Sequence, residues 1–388
     1  FSCPDPIRGG DDILVLCDVC LPDGNMTPHP TNTRAACVEA LEKYADQEPI
    51  FGIEQEYTFF QEGRPLGWPV EGYPAPQGPY YCGVGAIEVA GRDIVEAHTK
   101  ACMDAGLAIS GTNAEVMLGQ WEFQVGPIDT VAVADQLWMA RYLLYRVSED
   151  FHVDASVAAK PIKGDWNGAG AHTNFSTNAM REGYDAIITA CESLGAEGKP
   201  AEHIAGYGLG SEERLTGAHE TQRFDQFSYG VSDRGASVRI PWQVNLDQKG
   251  YIEDRRPNAN MDPYVVTRLI TDIADTVTRR LLKLAETELG APPVPYLWLA
   301  CGSQGRQEQT GVSDQDNCLI LDDSVTPDDM PYFKALAKFV SDGLDKAGYF
   351  YCPGDMMATA DRWCQPVSTW RRYFQGWIAS PSNEAQML

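Results

Sequence analysis

Hydrophobic and polar positions change period repeatedly along the chain, and each change predicts an element. An apolar run over residues 12–21 predicts a strand, the turn residues Pro22-Asp23-Gly24-Asn25 end it, and a helix is expected over about 32–44. Residues 50–60 are rich in β-branched and aromatic side chains and predict a second strand. The Gly- and Pro-rich stretch 63–85 is long for a structureless connection, which marks it as a functional loop. Helical spacing returns over 87–105, 129–151 and 178–195, with strand-like pieces at 114–125 and 170–177 between them. The order is α+β, without regular βαβ alternation.

A helix forms the clearest boundary. Asp262-Pro263 supplies an N-cap and a proline at the first helical position, and apolar residues recur at Val266, Ile270, Ile273, Val277, Leu281 and Leu284. Gly290 with Pro292-Pro293 stops it. Beyond lie an apolar run at 294–301, a polar loop, an apolar strand at 318–321 and a helix near 332–347. No internal repeat or low-complexity segment interrupts this pattern.

Composition narrows the class. A length of 388 residues favours two or three structural units, and 44% hydrophobic residues with 10% aromatics suffice for buried cores. No apolar run reaches about 18 residues, so no transmembrane helix is expected, and the N-terminal residues carry no signal-peptide pattern. The net charge, 30 − 55 = −25, argues against a sequence-independent grip on nucleic acid, which depends on Lys and Arg. Eleven cysteines without framework spacing fit a reducing compartment, so a cytoplasmic location is expected. Cys17 and Cys20 are expected as buried thiols.

The acidic residues then become specific. Glu54 and Glu56 stand two apart on a strand, so both carboxylates share one face, where they need a cation or a proton between them. Glu115 and Glu122 repeat the theme, and His172 and Glu253 lie in Gly-rich and Arg-rich surroundings. Carboxylates with one imidazole suit Mg²⁺ or Mn²⁺ better than structural zinc. Any one of these Glu taken alone reads better as a solvated strand residue. Arg214, Arg234, Arg239, Arg255 and Arg256 cluster in a chain otherwise short of basic residues, and forked guanidinia suit carboxylate and phosphate oxygens. Surface ion pairing would also account for any one of them.

Six ordered motifs, FGIEQEYT, GTNAEVMLGQWEFQVGP, GDWNGAGAHTNFST, RLTGAHE, DRGASVRIP and GYIEDRRPNANMDPY, resemble glutamine synthetase of the type found in eukaryotes and some bacteria, over about residues 1–270. The resemblance implies an antiparallel sheet with flanking helices for the catalytic domain at 31–270, after a remnant of a β-grasp domain at 1–30. Family members carry a further N-terminal stretch, which donates an aspartate to the neighbouring subunit's site. By this resemblance Glu56, Glu115 and Glu122 bind one metal ion, and Glu54, His172 and Glu253 a second. Asn167, Gly168, Arg214 and Arg255 hold glutamate. Tyr251, Arg234, Arg239 and Arg256 contact ATP, Arg234 and Arg239 also serving the transferred phosphoryl group. Glu220 is the flap acid over the intermediate. The implied reaction joins ammonium to glutamate at the expense of ATP through γ-glutamyl phosphate, with two Mg²⁺ or Mn²⁺ ions, in a homo-oligomeric ring, and with no nucleic acid or membrane partner.

The second unit carries Gly302-Ser303 and then Asp314 and Asp316, two carboxylates two apart at the start of an apolar strand. A Gly-Ser turn beside such a pair can hold a metal-bound nucleotide. GSQGRQE with SDQD resembles polymerase-β-type nucleotidyltransferases, nearest those related to the uridylyltransferases of nitrogen regulation. A nucleotidyltransferase-like α/β domain at 271–388, lacking its C-terminal part, is therefore expected. The join near Ile270–Asp272 reads either as a natural fusion or as two gene fragments meeting in compatible helices. Two further functions stay open: nucleotidyl transfer to a regulatory protein, and an inactive fragment that only binds nucleotide and metal.

Overall fold

The computed structural model describes residues 1–271, 274–301, 314–346 and 350–379. The chain forms two compact units, Phe1–Leu41 with Pro49–Thr271, and Glu42–Glu48 with Asp272–Leu388.

In the first unit, β1 (Ser2–Pro4) and β2 (Ile13–Val15) make a small antiparallel pair, followed by helix α1 (Thr33–Lys43). Next come β3 (Ile50–Gln61), β4 (Arg64–Pro65), α2 (Arg92–Asp104), β5 (Ile109–Ala114), β6 (Gln120–Asp129) and the long helix α3 (Thr130–Asp150). Strands β7 (Asp154–Ser156) and β8 (Ala171–Ser176) precede helices α4 (Asn178–Glu182), α5 (Tyr184–Leu194), α6 (Lys199–Gly206) and α7 (Ser211–Arg214). The unit closes with β9 (Tyr229–Val231), β10 (Val238–Ile240), α8 (Trp242–Asp247), β11 (Ile252–Asp254) and α9 (Pro263–Thr271). The main sheet runs β5-β6-β3-β8-β11-β10-β9, with β4 and β7 also pairing on β3. Every pairing is antiparallel except β9 with β10.

Strand β3 explains the layering. Phe51, Ile53, Gln55, Tyr57 and Phe59 alternate onto one face and are buried, whereas Glu54 and Glu56 point to the other. Helix α3 covers the first face with Val133, Leu137, Ala140, Leu143 and Leu144, all fully buried, and α2 adds Ile94, Val95 and His98. Asp129 caps α3 by accepting hydrogen bonds from the backbone N–H of Val131 at 3.1 Å and Ala132 at 2.9 Å. A polar clasp fastens α1 to α3 and α9. Arg34 forks onto Asp135 at 2.8 and 3.0 Å, and Tyr264 donates to the same carboxylate at 2.5 Å.

Several expected boundaries shift for physical reasons. The strand expected over 12–21 shortens to Ile13–Val15, and the exposed Val15 and Val19 find no core to cover them. Cys17 is exposed and Cys20 half-buried, which corrects the expectation of buried thiols. The stretch 114–125 divides into β5 and β6 around a turn in which Gly119 takes φ +88°, where a Cβ would strike the Leu66 carbonyl at 2.6 Å. The helix expected over 178–195 breaks at Gly183, whose backbone is extended. The helix expected from 262 onward is described as α9 and, in the second unit, α10 (Ala274–Leu289), with 272–273 outside the described residues.

The second unit contains β12 (Tyr296–Ala300), β13 (Asp314–Gln315), β14 (Asn317–Leu321), α11 (Met330–Lys346), β15 (Phe350–Tyr351), β16 (Cys364–Pro366) and α12 (Val367–Ala379). Strands β12 and β14 pair antiparallel, β14 and β16 parallel, and β13 pairs parallel with β15. Its core packs Leu319 and Leu321 against Phe333, Leu336, Ala337 and Val340 of α11. A satellite cluster joins Cys301, Cys318, Met356, Trp363 and Trp370.

Replacing Asp129 by Ala removes the cap of α3 and is expected to lower the unfolding free energy of the first unit by about 0.5–2 kcal/mol. Leu137→Ala, in the fully buried stripe of the same helix, costs about 2–5 kcal/mol. Urea denaturation followed by circular dichroism measures both.

Candidate active site

The face of the main sheet opposite α3 is polar because of its register. Glu56 stands opposite Glu122, Glu54 opposite Gln124 on one side and His172 on the other, Asn113 opposite Glu122, and Asn174 and Arg239 opposite Glu253. Directly opposite residues point to the same face, so five strands deliver their charged side chains to one surface.

Two triads result. Glu56, Glu115 and Glu122 bring a carboxylate oxygen each within 4.8 Å of one another, and Glu54, His172 and Glu253 do the same with the imidazole. His172 sits between them, its Nδ1 3.3 Å from Glu253 Oε1 and 3.6 Å from Glu54 Oε2, and its Nε2 3.9 Å from Glu56 Oε1. Neutral amides orient the acids: Asn174 donates to Glu54 at 2.8 Å, Asn113 to Glu115 at 2.9 Å, Gln124 to Glu122 at 2.9 Å and Gln120 to Glu56 at 3.2 Å.

The electrostatics divide the triads. Burial, with the like charges of Glu54 and Glu56, pushes the Glu122 carboxyl up to about 8, and burial with Glu56 and Glu122 holds Glu115 well above its ordinary value. At Glu253 burial works upward too. The hydrogen bond and charge of His172, with Arg255 and Arg239, overcome it and bring the carboxylate down to about 2. Burial and the Arg255 charge press the His172 imidazole downward, but its hydrogen bonds to Glu253 and Glu54 prevail and raise it to about 9. The first triad thus holds more negative groups than its surroundings can neutralise. Its donors are all oxygens, and with one imidazole in the second triad the set fits hard divalent cations.

The arginines separate into two groups. Arg239 forms an ion pair with Glu253, Arg255 donates to Glu253 at 2.7 Å, and Arg255 also reaches the Glu220 carbonyl at 3.4 Å. Arg234 pairs with Glu220 at 3.3 Å and lies over the Tyr81 ring from the long 63–85 loop. Tyr251 stands partly exposed two residues before Glu253. Arg214 is instead buried, donating to the carbonyls of Arg255 and Arg256 at 3.1 Å, with its Nη2 3.1 Å from His172 Nε2. Arg256 is buried as well. It forks onto Asp254 at 2.8 and 2.6 Å between the rings of Tyr207 and Phe227, away from the open face expected for a nucleotide contact. Asn167 accepts from Gln77 at 2.9 Å and the Gly168 carbonyl from Gln120 at 2.9 Å. A Cβ on Gly168 would strike Arg214 and the Ala159 carbonyl at 2.7 Å, so glycine is required there by close packing.

The orienting amides escaped the motif reading. Asn113 and Gln124 each stand two residues from the acid they orient, Glu115 and Glu122, and are findable on that spacing, whereas Gln120 and Asn174 reach Glu56 and Glu54 only through cross-strand pairing and the fold. In the second unit Gly302 and Ser303 lie outside the described residues, as does the Asp314 side chain. The expectation that Asp314 and Asp316 open one strand is corrected: Asp314 lies in β13 and Asp316 in no strand. Asp316 falls in the link between β13 and β14, where its carbonyl accepts from Cys301 N at 2.7 Å.

A buried carboxylate surface edged by arginines, on an antiparallel sheet backed by helices, defines a class of metal-dependent enzyme that handles anionic small molecules. Residues 30–206 match the family model "Glutamine synthetase, catalytic domain". A glutamine synthetase of Streptomyces viridochromogenes is 70% identical over 272 residues, 70% of this chain and 79% of that protein. One from Frankia alni is 64% identical, covering 70% and 76%, and a nodule isozyme of Medicago sativa 56%, covering 69% and 76%. The chain belongs to the glutamine synthetase family, whose members use divalent metals and ATP. Residues 255–384 match a second family model, "Putative nucleotidyltransferase DUF294", so a nucleotidyltransferase-like domain follows the glutamine synthetase catalytic domain. No helix among the described residues is long and apolar enough to cross a membrane.

The metal-free protein is expected to lose stability as pH rises. Folded Glu122 keeps its proton up to about pH 8 and His172 up to about pH 9, against ordinary values of 4.5 and 6.5. Each contributes stability that is fully present below its ordinary value and lost as pH climbs through the folded one. Glu253, at about 2, acts in the opposite direction and only at acid pH. Thermal unfolding in a chelator from pH 5 to 9 is expected to show a falling Tm, and Glu122→Gln a shallower fall.

Proposed function

We propose that the two triads and the arginines around them carry out glutamate–ammonia ligation, the activity the family name states, with two divalent cations, Mg²⁺ or Mn²⁺. The observation that carries this reading is the six-ligand constellation of Glu54, Glu56, Glu115, Glu122, His172 and Glu253 on one sheet face. Bound there, the cations would neutralise phosphate charge during phosphoryl transfer. The chain's own residues do the rest. Arg234 and Arg239 take phosphate oxygens of ATP, and Tyr251 borders its base. Asn167, the Gly168 backbone and Arg255 hold glutamate, with its side-chain carboxylate toward the γ-phosphoryl group. Glu220 closes over γ-glutamyl phosphate so that ammonia rather than water attacks it. Arg214 and Arg256 brace the loop 255–258 from beneath. Assembly into a ring and a cytoplasmic location belong to the same reading; a relative from Chlamydomonas reinhardtii carries the name cytosolic isozyme.

Phosphate release requiring both glutamate and ammonium, with glutamine formed in equal amount, is the expected result. Glu122→Ala or Arg239→Ala is expected to lower kcat by about 100- to 1,000-fold; unchanged turnover would sink the assignment. We assign the second unit nucleotidyl transfer, on its family match. Incorporation of α-labelled nucleotide into an acceptor protein tests that reading, and Glu122→Ala is expected to leave it intact.

A further inference from the structure

Arg141 is the anomaly of the first unit. Its side chain is buried beneath the sheet, only 3% exposed, on the face opposite the acids. The described residues give it no carboxylate at ion-pair distance, and burial lowers its pKa only to about 10, so it stays charged at neutral pH. A buried cation without an ion-paired carboxylate is costly, and a hydrophobic residue would fill the same place more cheaply. It lies 5.2 Å from the Trp138 ring, and its hydrogen bonds lead to Gln55 and to the backbone of the 259–261 segment. Nε donates to Gln55 Oε1 at 2.8 Å, Nη1 to the Met261 carbonyl at 2.9 Å and Nη2 to the Ala259 carbonyl at 2.9 Å.

Gln55 stands between Glu54 and Glu56. Its amide is held in one orientation, since Nε2 faces two acceptors, the Glu56 carbonyl at 2.8 Å and the Ala259 carbonyl at 3.0 Å. The β3–β8 ladder ends at Gln55 opposite Ala171, so the Glu56 carbonyl lies beyond it and takes its hydrogen bond from this side chain. Ala259 in turn donates to the Ala169 carbonyl at 3.0 Å, and Ala171 to the Pro257 carbonyl at 2.9 Å. One guanidinium therefore ties the Glu54–Glu56 segment to the loop between β11 and α9, and through it to the segment leading to His172.

We infer that Arg141 is a positioning residue which, through Gln55 and the 259–261 backbone, sets the spacing between the two metal triads. The inference rests on the proposed metal sites. A planar fork serving three divergent acceptors explains why a cation is kept where none is paired: neither a lysine nor an apolar side chain can hold these groups at fixed separation.

Mn²⁺ titration followed by the electron paramagnetic resonance signal of free Mn²⁺ tests it without reference to turnover. The unaltered protein is expected to bind two ions; failure there overturns the metal-site reading itself. Arg141→Met and Gln55→Met are each expected to weaken at least one site by about 10- to 100-fold, as loss of the groups that orient metal ligands does elsewhere. Arg141→Lys is expected to restore the thermal midpoint better than the Mn²⁺ affinity. If Arg141→Met does not fold, judged by circular dichroism, Gln55→Met carries the test. Folded variants with unchanged isotherms, whatever their Tm, would overturn the inference and leave Arg141 a purely structural residue.

Discussion

Like-charge repulsion on one sheet face governs the first unit. Strand register brings Glu54, Glu56, Glu122 and Glu253 together, the turn after β5 adds Glu115, and most are shielded from water. Buried carboxylates at these separations cannot all stay ionised without compensation. The molecule answers in graded fashion. Glu253 is neutralised by two arginines and an imidazolium, Glu54 and Glu56 are oriented by donor amides and a backbone N–H, and Glu115 and Glu122 tend to hold protons. A triad that keeps protons for want of cations is poised to exchange them for a metal ion.

The same constraint explains the two faces of the sheet. Strand β3 can carry glutamates only because its alternate residues pack against α3, and that packing fixes which way each carboxylate points. Slipping the register by one residue would bury Glu54 and Glu56 against Leu137 and Leu144 and expose Phe51 and Ile53. The apolar core and the acidic site are thus one structural decision, and Arg141 with Gln55 crosses from the former to the latter.

Burial sorts the arginines by role. Those on the open face, Arg234 and Arg239, pair with the carboxylates of Glu220 and Glu253, which incoming phosphates can displace, and Arg234 also contacts Tyr81. Arg214 and Arg256 serve carbonyls and one buried aspartate, bonds that would be costly to give up in the interior. An excess of acids with a few concentrated arginines suits a reaction that must bind cations, hold anions and exclude water from an acyl phosphate.

Local chemistry was legible from sequence wherever it depends on period and composition. The alternation in FGIEQEYTFF set the strand and the shared face of Glu54 and Glu56, Asp129 announced the start of α3, and the family motifs named the six candidate ligands. What register and packing decide was not legible. The division of 114–125 around a left-handed Gly119, the exposure of Cys17, the link at Asp316 and the burial of Arg256 each depend on neighbours distant in sequence. So does the role of Arg141, an unremarkable basic residue in a helical stripe until Gln55, Ala259 and Met261 close around it. Sequence determined which groups are available and which face each strand residue takes, because both follow from covalent geometry. Only the tertiary structure decided which charges are paired and which remain free for ligands, because that depends on distance and burial.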